Sequence, residues 1–330
     1  MTSTNNQRDP YRIEDLTVNI NTVDRPEYLE ACLASLIETT PAGAPLQILF
    51  NATPDWIRDR TIDQARAWQG PTSFIHIDEI IPVDESHNRA LAGIETPLVN
   101  FMGDDDVVFG NRLPLILDAF NTLDVEPVAV TTFAKRIAGD AFVPAVGTNK
   151  DLGPTTIDDW ATWHNSGKSL ELLWPGAVLR TDVLRKIGGF EKPFSQSFDN
   201  RIFSQMSFHG PVIALRNRDF GFRIHQGSMS SANWKKQNEI VRFVAACHSA
   251  KLEGENEPTY EQFVADEQAQ PGLLRVRRQL RDRSRIHFRK GGQLALSGER
   301  VSGVANMAAS MLLWPPAFAE KLKDQVGQRD

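Results

Sequence analysis

Three consecutive acids, Asp104, Asp105 and Asp106 in the stretch FMGDDDVVFG, directly follow the apolar run Pro97 to Met102 and its closing Gly103. Carboxylates at this spacing suit a hard divalent cation such as Mg2+ or Mn2+, which takes a few protein oxygens and completes its shell from phosphate and water. Left uncompensated, the three charges repel one another and raise some of their own pKa values, and a bound cation relieves that repulsion. The apolar run reads as a strand, so the acids fall at its C-terminal end, the edge at which open α/β sheets hold their ligands. On spacing alone, a solvated turn is a commoner reading of such a run than a site.

Other chemistries find less support. The chain has no P-loop, and Gly188-Gly189 follows a helical segment where a dinucleotide fingerprint would follow a strand. Cys32 and Cys247 stand far apart without metal-ligand spacing, which excludes a disulfide scaffold or a zinc site as the organising feature. An aspartyl-phosphate phosphohydrolase, with Asp104 as nucleophile and Asp106 as acid/base, is the alternative use of an Asp-x-Asp after a strand. That motif usually lies near the N-terminus, whereas about three strands precede it here.

The elements that must position these acids alternate along the chain. Leu16 to Thr22 alternates as a strand does, and Asp24-Arg25-Pro26-Glu27 offers a helix start, with Asp24 as cap. Tyr28, Leu29, Cys32, Leu33, Leu36 and Ile37 then recur at helical spacing, which makes Cys32 a core residue. Leu46 to Phe50, Ser73 to Ile77 and Pro97 to Met102 are further strands with helix-length segments between them, predicting a mainly parallel sheet flanked by helices. Arg112 to Leu123 reads as a helix, Pro127 to Phe133 as a strand, and the stretch to about Leu170 as polar and less regular. Thr181 to Ile187 is predicted helical, ending at Gly188-Gly189, and Pro211 to Leu215 is predicted as a strand. From Trp234 the pattern is mostly helical. The expected organisation is a polar tail over 1–15, a catalytic domain over 16–233 and a helical region over 234–330.

Four stretches in order resemble the glycosyltransferase family 2 enzymes of the GT-A fold: LTVNINTVDRPEYLEACLASL, SHNRALAGIETPLVNFMGDDDVVFGNRL, WPGAVLRTDVLRKIGGFEKPFSQSFDNRIFSQMSFHG and FRIHQGSMS. The resemblance covers roughly Leu16 to Ser231. It implies a nucleotide-diphospho-sugar transferase fold and an inverting, metal-dependent transfer of a hexosyl or deoxyhexosyl group to a glycan or lipid-linked acceptor. By the same match, Asp104 faces the donor ribose, Asp105 or Asp106 holds the Mn2+ or Mg2+ that bridges the diphosphate, and His225 adds a metal ligand. Asp199 matches the base that takes the acceptor's proton, with Phe198 where the family has Glu. Thr22, Val23, Asp24, Arg25, Asn51, Asn88 and Arg89 match positions beside the nucleotide, and Trp174, Pro175 and Gly176 the loop beneath the acceptor sugar. Each has a plainer reading. Asp199 would cap a helix beginning near Asn200, Asn51 and Asp24 suit turns, Arg89 a solvated helix face, and Trp174 a buried core. Phe198 also leaves open a non-catalytic glycan-binding protein on the same fold.

Composition sets the frame. The 330 residues carry a formal net charge of −6 and 41% hydrophobic residues, enough for a sizeable core and contrary to a protein that coats nucleic acid. The polar N-terminus lacks a secretory apolar segment, and no apolar stretch is long enough to cross a bilayer, so the expected location is cytoplasmic. Between Arg275 and Lys290, eight basic residues face Asp282 alone, a local charge of +7 in a chain whose total is −6. Beside it, Val301 to Leu313 and Trp314-Pro315-Pro316 form an apolar, partly amphipathic stretch. The region 275–316 resembles the tails of bacterial rhamnosyltransferase-like proteins and suits peripheral contact with the inner membrane face. A solvated helix face, packing on the catalytic domain and a homodimer contact are the other uses of it.

Overall fold

The structure is a computed structural model and describes residues 9–138, 141–143, 153–170, 172, 174–195, 197–223, 234–296, 299–316 and 318–319. Four parallel strands form one half of the sheet: β1 (Leu16–Thr22), β2 (Leu46–Asn51), β3 (Thr72–Ile77) and β4 (Leu98–Gly103), in the spatial order β3-β2-β1-β4. Between them run α1 (Pro26–Thr39), α2 (Asp55–Ala65) and α3 (Val83–Ala92). Because these strands are parallel and in register, Thr22, Asn51 and the residues after Gly103 all emerge at one carboxyl edge. Asp24 does not cap α1. Arg25 occupies that position and Pro26 the first helical turn, where a missing N–H costs nothing.

The other half is mixed. After β5 (Val107–Val108) and α4 (Arg112–Thr122), the chain forms β6 (Ala129–Ala138) and β7 (Ala141–Val143), then α5 (Ile157–His164), β8 (Val178–Arg180) and α6 (Thr181–Lys186). Next come α7 (Phe198–Met206) and β9 (Val212–Arg223), and the path β4-β8-β6-β9-β5 completes the sheet. β8 is antiparallel to β4 and β6, β9 is parallel to β6, and β5 is antiparallel to β9.

This order forces curvature. Four steps across a flat sheet span about 19 Å, yet only the acidic turn links β4 to β5, and its four residue steps reach about 14 Å at full extension. The sheet therefore curls, helped by a register break between Thr132 and Ala134 where β6 meets β9. The curl brings Arg223, at the end of β9, onto the acids that follow β4.

Two apolar layers cover the sheet. One includes Val18, Ile20, Leu33, Phe50, Met102 and Phe120; the other includes Leu49, Phe101, Trp174, Leu179, Phe190 and Phe203. The C-terminal helices are α8 (Trp234–Leu252), α9 (Tyr260–Ala269), α10 (Gly272–Leu296) and α11 (Arg300–Leu313). Among them, α8 docks on α7 through buried His248. Its Nε2–H donates to the His164 carbonyl at 2.8 Å, which leaves Nδ1 to accept from Ser204 Oγ at 2.9 Å.

Candidate active site

The acidic turn is held by groups at the ends of two other strands, β1 and β9. Thr22 Oγ1 donates to Asp104 Oδ2 at 2.8 Å, and the Arg25 guanidinium reaches Asp104 Oδ1 at 3.2 Å and Asp105 Oδ2 at 2.8 Å. From β9, the Arg223 backbone N–H donates to Asp106 Oδ1 at 2.9 Å and its Nε to the Asp105 carbonyl at 2.9 Å, while its guanidinium lies 4.8 Å from the centre of the Tyr28 ring. Of the residues matched to the donor and metal, Thr22, Arg25, Asp104, Asp105 and Asp106 are thus brought together. Val23 and Asp24 stand exposed on the same edge.

Asp106 is the residue under most tension. It is 1% exposed, and its Oδ2 has no hydrogen-bond partner. Burial first, then the charges of Asp105 and Asp104, hold its carboxyl well above the usual range, against the pull of the Arg223 N–H. A buried carboxylate oxygen without a donor is costly unless something else neutralises it. Directly below, Cys32 Sγ donates to the Gly103 carbonyl at 3.4 Å, and burial followed by the same acids pushes its thiol up. Gly103 is required by contact: a Cβ there would stand 2.9 Å from Asp106 Oδ2 and 3.1 Å from Asp105 Oδ1.

These residues fit a divalent cation. The oxygens are hard, Asp106 Oδ2 lacks a donor, and among the described residues the guanidinium groups of Arg25 and Arg223 stand beside the turn's three carboxyl groups. No cluster of three metal-ligating side chains is preformed among the described residues. His225 lies outside the described residues.

Asparagines matched to the nucleotide serve as clamps. Asn51 exchanges two hydrogen bonds with the Ile81 backbone, both at 2.9 Å, and Asn88 does the same with Phe190 at 2.8 and 2.9 Å. Arg89 lies exposed on α3, paired with Glu85 at 2.9 Å. Sequence reasoning missed Asn21, which lies opposite Gly103 across β1 and β4 and whose amide nitrogen and oxygen are both buried without partners. The signal was present: a parallel strand buried on both faces reads as continuous apolar sequence, and Asn19 and Asn21 break that rule.

The side matched to the acceptor is built on aromatic packing. Trp174 is 7% exposed, lies parallel to Phe101 at 5.7 Å, and meets Phe198 edge-on at 5.1 Å. Phe198, in the position expected to carry Glu, also packs 5.0 Å from the His87 ring. Burial holds His87 neutral, lowering its pKa to about 4 despite a 2.7 Å contact with the Val83 carbonyl. The pile ties the first turn of α7, which carries Asp199, to the carboxyl end of β4. Ser197 is the cap of α7, so Asp199 sits inside the first turn rather than at the cap. Pro175 and Gly176 complete the turn, with the Gly176 N–H donating to the Phe101 carbonyl at 3.3 Å.

No protein-family model matches the sequence, and no curated protein is similar to it in sequence. Solved structures are similar in fold. S. aureus TarS 1–349 in complex with UDP-GlcNAc superposes with a TM-score of 0.55 at 12% identity, over 94% of this chain and 89% of that one. The mannosyltransferase PcManGT from Pyrobaculum calidifontis, in complex with GDP-Man and Mn2+, gives 0.51 at 14% identity over 94% and 81%. The fold is therefore of the GT-A kind, a curled, mostly parallel sheet flanked by helices, with a helical C-terminal part, as the motif order predicted.

Proposed function

We propose that the protein is a metal-dependent, inverting glycosyltransferase that takes its sugar from a nucleotide-diphospho-sugar. The observation that carries this reading is the carboxylate turn at the carboxyl edge of β4, tied to Thr22, Arg25 and Arg223 and leaving Asp106 Oδ2 without a donor. Nucleotide sugars bound to similar folds support it.

Asp104, fixed by Thr22 and Arg25, faces the donor ribose. Asp105 and Asp106 would hold Mn2+ or Mg2+, which supplies charge stabilisation to the departing diphosphate. Asp199 takes the proton of the acceptor hydroxyl while that oxygen bonds to the anomeric carbon and the bond to the diphosphate oxygen breaks, which inverts the anomeric configuration. The turn Trp174-Pro175-Gly176, packed under the helix of Asp199, borders the acceptor, a glycan or lipid-linked hydroxyl.

Release of nucleotide diphosphate from a panel of nucleotide sugars, with and without Mn2+, tests the reading. Asp199→Asn is expected to lower kcat by about 10²- to 10⁴-fold with donor affinity retained, and Asp105→Ala to abolish the Mn2+-dependent release. Phosphatase activity without any sugar donor, or turnover indifferent to both substitutions, would overturn it.

A further inference from the structure

The C-terminal hairpin is built inside out for a protein surrounded by water. In α11 the residues turned toward α10 are small or polar at Gly303, Asn306 and Ser310, with Met307 the apolar member of that face. Gly303 lies so close to Gly291 that a Cβ on either would stand about 3 Å from the other's carbonyl oxygen, and Ser284 Oγ donates to the Ser310 carbonyl at 2.8 Å. The face turned away carries Val301, Val304, Ala305, Ala308, Met311 and Leu312, at steps of three and four residues, and all six are exposed. Val301 is 86% exposed and Leu312 81%. A helix in a water-soluble bundle turns such a stripe inward. Small residues and hydroxyl bonds inside, with branched apolar residues outside, is instead the packing of helices in an apolar medium.

Charge selects the medium. The basic run Arg275 to Lys290 lies on α10, immediately behind α11, and Arg275, Arg277, Arg283 and Lys290 are exposed. Arg277 also lies 5.6 Å from the centre of the Trp314 ring at the end of α11, pairing a cation with the aromatic residue favoured at the lipid–water boundary. With 14 residues, α11 is about 21 Å long, short of the roughly 30 Å needed to cross a bilayer. No described helix is long and apolar enough to cross a membrane.

We infer that α11 lies flat in the headgroup–acyl boundary of an anionic membrane, its apolar face in the lipid and the α10 cations on the lipid phosphates. This goes beyond the transferase reading and stands without it. Flotation of the full chain with phosphatidylcholine vesicles containing about 30 mol % phosphatidylglycerol tests it. The protein is expected to float with these vesicles about tenfold more than with pure phosphatidylcholine, and less as salt is added. Val304→Asp with Leu312→Asp is expected to lower flotation about tenfold without changing the melting temperature, since both side chains are exposed. Arg283→Glu with Lys290→Glu is expected to do the same by charge alone, so a fold defect in one pair leaves the other decisive. Wild-type protein that stays unbound, apolar-face variants that float like wild type, or a solution dimer that the aspartates split while vesicles bind nothing would each overturn it.

Discussion

Asp106 and His87 are two buried ionisable groups with opposite consequences. Asp106→Asn keeps an acceptor for the Arg223 N–H and removes an acid whose charged form burial, Asp105 and Asp104 disfavour, so the unliganded protein is expected to be at least as stable as wild type, while stabilisation by Mn2+ with a nucleotide sugar disappears. Thermal melts with and without both ligands read the two effects separately. A variant that loses stability and keeps the ligand effect would contradict the assignment. His87 is held neutral to about pH 4 in the fold but takes a proton near 6.5 once unfolded. The unfolded state therefore binds more protons between those values, and stability falls as pH drops through that window, by about 3 kcal/mol at its lower end. His87→Phe, which suits the aromatic pile, should flatten that segment of a urea-unfolding series across pH.

At the scale of elements, the turn Trp174-Pro175-Gly176 holds a buried cation. Gly176 has φ of 88°, and a Cβ there would stand 2.6 Å from Arg112 Nη2. Arg112 is 2% exposed, its pKa lowered to about 9 by burial, and its Nε reaches Thr132 at 3.2 Å. Gly176→Ala should cost about 1–3 kcal/mol, read as a lower urea midpoint, because both the backbone and the guanidinium resist. The strands β1 to β4 and the helix α1 were legible because apolar alternation and helical spacing dominate there. The polar stretch before Leu170 hid α5, a helix of eight residues with no buried side chain, started by the Thr156 cap. β8 has three residues, too few for a period, and β9 ran past Leu215 because its polar residues Arg216 to Asp219 look like a loop. The acids were legible for their type. Arg223 was not legible as their clasp, since it works through a backbone N–H and a sheet curl that no local pattern encodes.

Across the whole molecule, the carboxyl edge of the sheet carries the three acids, and the C-terminal hairpin carries a basic run and exposed apolar surface. The link between fold and chemistry rests on the acidic turn, and titration calorimetry of UDP-, GDP- and dTDP-sugars tests it most directly. With Mn2+ present, wild-type protein is expected to bind at least one of them with a single site. Removing Mn2+, or replacing both Asp105 and Asp106 by Asn, should weaken that binding about tenfold or more. Binding of no nucleotide sugar, or binding unchanged by loss of the cation and of both carboxylates, would contradict the account.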